Sequence, residues 1–498
     1  MATLSLASVL AEPARRWPDK TAVIESERRR SYADLWRAAR ATAAALQELG
    51  VEAGTRVALL APNVVEFVEG YYGILAAGGI VVPIPTLLNA EEAAYLVADS
   101  GAQLVLHHAS FAELGSKAAA QAGIPAHSLE GLGEGHEPID RIVGRDSEDV
   151  ALIFYTSGTT GRPKGALLTH LNLVMNATTN AYDGNQIDRD AVVMASLPLF
   201  HTFGQTAAMN STFRLGATLL LQPRFDAAAA IELMVRERAT RFLGVPTMYI
   251  HLLQAAERAD QLPRLAECVS GGASLPVAVL ERFEEVFGTR IYEGYGLSET
   301  SPTATVNQRV FGTRPGTVGH AAWGVEVAIA DETVPDAIVL RGPEELGEVV
   351  VRGHNVFKGY LDRPDATAAA LVDGWFRTGD IGRIDQDGFL SIVDRMKDLI
   401  IRGGFNVYPR EVEEVLARHP DIAQVAVIGI PDEERGEEVC AVVVPRAGRE
   451  IVPAELVAWS RERLAHHKYP RLVQVVAELP LGPSNKVLKR ELRRRYGS

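Results

Sequence analysis

The stretch AAAAIELMVRERATRFLGVP, Ala227 to Pro246, reads as a helix that runs into a short buried strand without a hairpin turn between them. The same order occurs in SYADLWRAARATAAALQELG (31–50) followed by RVALLAP (56–62), where Gly50 closes the helix, and in EEAAYLVADSGAQLVLHH (91–108). Helix and strand in repeated alternation are the mark of α/β layers with parallel strands, so an α/β fold is expected. Past about residue 345 the pattern changes to short strands with Gly and Asp turns, as in GEVVVRG (347–353) and RIDQDGFLSIVDR (383–395). A second unit is expected to begin near Arg395. It holds the helix in YPREVEEVLARHP, the strands AQVAVIGIP and EEVCAVVVP, the helix in PAELVAWSRERLAHHK and a basic tail.

A chain of 498 residues exceeds what a single core usually serves, which agrees with this division. Hydrophobic residues make up 47% and charged residues 23%, the balance of an ordinary globular protein. A net charge of −13 provides no overall basic field, so nucleic acid is excluded as a partner, and an anionic ligand must be held locally. The two cysteines, Cys268 and Cys440, are far apart and outside any metal-ligand spacing. YYGILAAGGIVVPIP (71–85) is the most apolar segment, but it is shorter than the roughly 20 residues a spanning helix needs. It reads as a buried helix entering a buried strand. No transmembrane segment and no leader are expected, and a cytoplasmic location follows. A homodimer is compatible with the sequence, which does not decide the oligomeric state.

YTSGTTGRPKGA (155–166) concentrates glycines, hydroxyls and one lysine between apolar runs. Backbone N–H groups and hydroxyls of such a turn suit phosphate oxygens, and Lys164 adds charge. It is not a P-loop, because Lys164 follows Pro163 and precedes Gly165, so that motif's spacing and its cation-binding hydroxyl are absent. An ordinary surface turn is the competing reading. Other segments weigh against it. In YEGYGLSET (292–300), Tyr295 can stack on a base, Ser298 can bond a phosphoryl oxygen and Glu299 can hold Mg²⁺. WFRTGD supplies Asp380 for two ribose hydroxyls, VDRMKDLIIRGG supplies Arg395, and PSNKVLKREL supplies Lys486.

Together these segments, in this order from Trp17 to Tyr496, resemble the adenylate-forming superfamily of acyl-CoA synthetases, luciferases and peptide-synthetase adenylation domains. The resemblance implies a large N-terminal domain of stacked α/β subdomains, residues 1–394, and a small mobile α+β C-terminal lid, residues 395–498, hinged near Lys397. It implies that ATP phosphates are held by Thr156, Ser157, Gly158, Thr159, Thr160, Gly161 and Lys164, with Thr156 and Glu299 on Mg²⁺. Gly272, Ala273, Tyr295, Gly296 and Ser298 would adjoin the nucleotide, with Asp380 and Arg395 at the ribose. Lys486 would be the catalytic lysine of adenylation, although Asn485 stands where relatives carry glycine. Ser298 likewise replaces a common threonine.

The acyl group is expected against His201, Phe203, Gly271, Gly272 and Thr303, with His201 near the carboxylate, and coenzyme A is expected to pass Gly403 and Gly404. The two glycines would leave room for a slender pantetheine arm. The segments LPLFHTFGQTAAMNSTFRLGATLLLQPRFDA and FLGVPTMYIHLL resemble those of bacterial medium- and long-chain fatty acyl-CoA synthetases. An aryl acid, transfer to a carrier protein, and a binding protein without catalysis are the alternatives. His466 and His467 read as surface or cap residues, the carboxylates of EVEEVL as an outward face, and the basic run KVLKRELRRRY, apart from Lys486, as a solvated face.

Overall fold

The computed structural model describes residues 4–156, 162–184, 187–482 and 487–497. Helices and strands form four sheets, in a large N-terminal α/β part and a small C-terminal domain. The helix Ala227–Arg236 begins where the Asp226 carboxylate accepts the Ala229 N–H, and it buries Ala230, Ile231 and Met234. It delivers the chain into the strand Arg241–Gly244, which pairs in parallel with Val192–Ala195 on one side and Glu267–Ser270 on the other. This strand lies inside a nine-stranded sheet whose far edge carries Arg290–Gly296, Thr303–Val306 and His320–Ala321. Fully buried parallel strands explain why RFLG shows no polar alternation.

The second sheet has six strands, in the order 126–128, 104–107, 56–60, 80–83, 150–156 and 164–169. All pairs are parallel except the last, in which Val150–Thr156 turns back as Lys164–Thr169 with Thr156 opposite Lys164. The glycine-rich segment thus joins two antiparallel strands at a sheet edge. The apolar segment 71–85 is the helix Val65–Ala76 and the strand Ile80–Pro83, both enclosed. No described helix is long and apolar enough to cross a membrane. Between the two sheets lies a shared core in which Tyr32, Tyr71, Tyr72 and Phe213 meet edge to face. Buried phenols need partners, and Tyr32 donates to the Ala217 carbonyl (2.6 Å) and Tyr72 to Asn210 Oδ1 (2.7 Å).

The third sheet joins Val325–Ala330, Gly347–Gly353, Leu371–Val372, Trp375–Ile384 and Leu390–Arg395. The chain then passes through the single turn Met396–Asp398 into the last sheet, whose first strand is Ile400–Arg402. That sheet has its own core of Ile400, Val412, Leu416, Val427, Val439 and Ala441. Across the junction, Asp394 Oδ2 accepts the backbone N–H of Arg410 (2.9 Å), the second residue of the helix Pro409–Leu416. The Arg410 side chain donates to the Ile392 carbonyl.

Several polar residues differ from their sequence-based expectation. The carboxylates of EVEEVL do not face outward alone: Glu413 accepts the Val427 N–H and pairs with Lys489 (2.7 Å), and Glu411 pairs with Lys468. Lys489 and Arg493, one turn apart, leave the solvated face of the basic run, because Arg493 reaches Asp398 (2.9 Å) and Lys489 lies among Glu413, Asp394 and Asp398. Near His466 and His467, whose carbonyls accept from Arg402, the Arg402–Glu438 ion pair is almost fully buried at 2.6 Å.

Candidate active site

A cavity of about 950 Å³ opens where the carboxyl ends of both large sheets meet the third sheet. On one side, the strand ending at Thr156 and the strand beginning at Lys164 bring both side chains to the wall. Glu299 sits in the single turn Ser298–Thr300, 7% exposed. Its Oε1 accepts from Thr156 Oγ1 (3.2 Å) and from the Tyr360 hydroxyl (2.9 Å). Burial and the neighbouring carboxylate push the Tyr360 phenol well up, so it stays a donor. The Lys164 ammonium lies over the Tyr360 ring, 5.2 Å from its centre. Ser157, Gly158, Thr159, Thr160 and Gly161 lie outside the described residues.

The base of this turn is clamped from the helix Ala90–Asp99. Asp99 accepts from Tyr155 (2.8 Å), Tyr95 (3.3 Å) and Arg363 (3.1 Å), and the Tyr95 hydroxyl also reaches the Pro163 carbonyl (3.2 Å). The Asp99 carboxylate thus holds the chain just before the glycine-rich segment through Tyr155, and the Tyr95 hydroxyl reaches it just after, at Pro163. Apart from Tyr95, the partners of Asp99 are tens to hundreds of positions away, and no local motif marks them.

On a second side, Asp380 and Arg395 stand opposite each other on paired strands, with Arg395 Nε 3.2 Å from Asp380 Oδ1. The Tyr295 hydroxyl donates to Asp380 Oδ2 (2.6 Å), a bond the motif alone did not reveal. Burial, and then the Asp380 charge, hold the Tyr295 phenol high, while the Asp380 charge raises Arg395. Gly271, Gly272, Gly296 and Ser298 line the same cavity. Ala273 does not: Gly272 adopts φ +81°, the chain turns out, and Ala273 is exposed. A side chain at Gly296 is impossible, since its Cβ would stand 1.8 Å from the Pro302 carbonyl oxygen.

On the remaining side, His201, Phe203, Gly271 and Thr303 come together with Phe154, Val269 and Val306. His201 lies edge-on to Phe154 (5.6 Å) and its Nδ1 accepts the Phe203 N–H (3.2 Å), which assigns the proton of a neutral ring to Nε2. Two wide π-helical turns build this wall, Asn180–Gly184 and Phe203–Asn210, and Thr303 Oγ1 donates to Asn180 Oδ1 (2.9 Å). Such turns recur at functional sites, where they displace a side chain from helical register.

Lys397 also reaches the cavity, and burial followed by the nearby Arg395 charge lowers its pKa. Gly403 and Gly404, both with left-handed φ, form an exposed turn that does not line the cavity in this arrangement. Lys486 and Asn485 lie outside the described residues.

The AMP-binding enzyme family matches residues 10–361, and the AMP-binding enzyme C-terminal domain matches 411–486. The chain belongs to the AMP-binding enzyme family. Among its relatives is a long-chain-fatty-acid–CoA ligase of Bacillus subtilis, 37% identical over 98% of this chain and 94% of that one. A feruloyl-CoA synthase of Amycolatopsis is 40% identical over 97% of both. The crystal structure of ATP-bound MatB from Rhodopseudomonas palustris superimposes with a TM-score of 0.90 at 34% identity, over 99% of each chain. As an AMP-binding enzyme the protein is an ATP-dependent, AMP-forming acyl-CoA ligase, with ATP, a carboxylic acid and coenzyme A as substrates.

The donor set at Glu299 fits Mg²⁺. A buried carboxylate beside a hydroxyl offers hard oxygens, and this ion commonly takes one or two protein carboxylates plus phosphate oxygens and water. Among the described residues there is no cluster of three or more His, Cys, Asp or Glu that could hold a metal by itself.

Proposed function

We propose that the acid activated is a medium- or long-chain fatty acid. The observation that carries this reading is the wall formed by Phe154, Phe203, Val269, Gly271 and Val306: every charged residue lining the cavity comes from other segments. An amino acid's ammonium would have no carboxylate there to pair with, and a buried unpaired charge is costly. The aromatic faces of Phe154, His201 and Phe203 would also accept a flat aryl acid, so a cinnamate- or benzoate-type substrate is the second reading.

In the first half-reaction Asp380 and Arg395 hold the ribose, with Tyr295 against adenine. Lys164 and the turn 156–161 hold the β- and γ-phosphates. Mg²⁺ bound by Glu299 and Thr156 would offset phosphate charge. His201, donating from Nε2, orients the carboxylate for attack on the α-phosphorus, and Lys486 supports the charge there while pyrophosphate leaves. In the second, the thiol of coenzyme A attacks the acyl carbonyl and AMP departs. Turning of residues 395–498 about Lys397 withdraws Lys486 and brings in Gly403 and Gly404. Two features support a hinge at Lys397: Leu390–Arg395 still pairs with the third sheet, so the turning part begins after Arg395, and Ile400 already belongs to the core of the fourth.

Pyrophosphate release with a panel of straight-chain and aryl acids, each with and without coenzyme A, tests the reading. A peak on medium- or long-chain acids that requires coenzyme A is expected. A peak on cinnamates or benzoates would move the assignment to aryl acids, and adenylate accumulating without need of coenzyme A would point to a carrier protein.

A further inference from the structure

Tyr360 belongs to none of the motifs that define the site, yet it touches two of the residues that handle phosphate. Its hydroxyl donates to Glu299 Oε1 (2.9 Å), and its ring lies beneath the Lys164 ammonium (5.2 Å). Its backbone is held in place. The Tyr360 N–H donates to Thr367 Oγ1 (2.9 Å), and the Gly359 carbonyl and Leu361 N–H pair with Leu167 and Gly165 (2.9 and 2.8 Å) of the strand that starts at Lys164. Gly359 is required there, because at φ +139° a Cβ would meet Thr367 Cγ2 at 2.8 Å. The ring is braced edge-on by Phe357 at 4.8 Å.

Tyr360 and Lys164 are therefore carried on one stitched piece of backbone, while Glu299 comes from the neighbouring sheet. Among the described residues, the Glu299 carboxylate accepts side-chain hydrogen bonds from the Tyr360 hydroxyl and from Thr156. Both donors converge on Oε1, so the carboxylate is fixed in rotation and Oε2 is the oxygen engaged by neither. Hydrogen bonds to an ionised group are the stronger kind, and they orient as well as stabilise.

We propose that Tyr360 is a positioning residue. Through its hydroxyl it presents Glu299 Oε2 to the divalent cation that accompanies ATP, and through its ring it aims Lys164 at the phosphates. This rests on the ATP and Mg²⁺ reading of the site, with Tyr360 touching neither reacting atom.

Two variants separate the two contacts. Tyr360→Phe keeps the ring, its packing and the backbone pairing, and removes one oxygen. Tyr360→Leu removes the ring as well. ATP binding to the full chain is measured by calorimetry in EDTA and across a Mg²⁺ titration, with unfolding temperature as a control. For Tyr360→Phe the Mg²⁺ concentration that half-restores tight ATP binding should rise roughly ten- to a hundredfold, the value of a hydrogen bond to a charged group. Its affinity for ATP in EDTA, its KM for the acid and its thioester formation from supplied acyl adenylate should not change. Tyr360→Leu should weaken ATP binding in EDTA as well. An unchanged Mg²⁺ midpoint in a folded Tyr360→Phe protein would overturn the proposal, as would an equal loss in EDTA and in Mg²⁺. Wild-type protein whose ATP binding ignores Mg²⁺ would instead refute the underlying reading of the site.

Discussion

Replacing Gly271 by alanine should shorten the acid side of the cavity without touching the nucleotide side. A Cβ at Gly271 would stand 3.1 and 3.2 Å from Phe203 Cζ and Cε1 and 3.4 Å from the Gly294 carbonyl oxygen. Carbon pairs settle at about 3.5–4.0 Å, so the rim of the Phe203 ring must retreat by about half an ångström. Phe203 itself lines the cavity, and the displaced ring and the new methyl both narrow it. Losing room for one methylene costs about 0.8 kcal/mol, roughly fourfold, and the strain of overpacking reaches about 3 kcal/mol, roughly a hundredfold. For acids whose chain passes Gly271, kcat/KM should fall within that span. For the shortest acids it should hold, and the KM for ATP should stay constant. The assay is pyrophosphate release at saturating ATP and coenzyme A over a graded series of chain lengths. A uniform fall along the series, an unchanged chain-length optimum or a rise in the KM for ATP would refute the placement of the acyl chain.

Asp380→Asn weakens the bonds to Tyr295 and Arg395 at one stroke. At about 1.5–3 kcal/mol for a charge-assisted bond, ATP binding should drop by at least tenfold, and discrimination between ATP and its 2′-deoxy analogue, read in competition binding, should vanish. Burial raises the Glu293 carboxyl to about 7 against the opposing pull of Arg410. The unfolded carboxyl titrates near 4.3, so the stability this group contributes is full below that pH and is lost as pH rises to about 7, by about 3 kcal/mol. Glu293→Gln should remove that slope from thermal unfolding between the two pH values. Glu69, also raised to about 7 by burial, remains in both proteins and cancels in the comparison. Lys486→Ala should abolish pyrophosphate release yet leave thioester formation from supplied acyl adenylate intact, and equal loss of both steps would refute a lysine used in one half-reaction only.

The layered α/β pattern was legible because parallel strands buried on both faces, such as Arg241–Gly244, must be continuous apolar runs, and the helices before them carry a helical period. Thr156, Lys164, Glu299, Asp380 and Arg395 were legible because each sits in a short segment whose residue types suit phosphate or ribose, and the fold brings all of them to one cavity. Asp99 and Tyr360 were not. Their importance lies in what they touch across the fold, and an aspartate at a helix end or a tyrosine after a glycine has no local distinction. Ala273 misled for a related reason: it is contiguous with two glycines of the wall, but the left-handed turn at Gly272 separates it from the cavity. The outward face assigned to EVEEVL failed because a half-buried Lys489 pairs with Glu413 from far downstream in the chain, beyond any helical periodicity.

The bond from Asp394 to the Arg410 N–H bears on how the molecule divides its time. An N–H in the first turn of the helix Pro409–Leu416, which has no partner within the helix, is answered by a carboxylate on the far side of the junction, and the rotation about Lys397 proposed above would leave it to water. Such a cap is worth about 1 kcal/mol, which is roughly a fivefold bias in the resting population toward the arrangement seen here. Under the proposed rotation, the small domain would be held in one orientation before any substrate binds, and the other orientation would have to be reached against that bias.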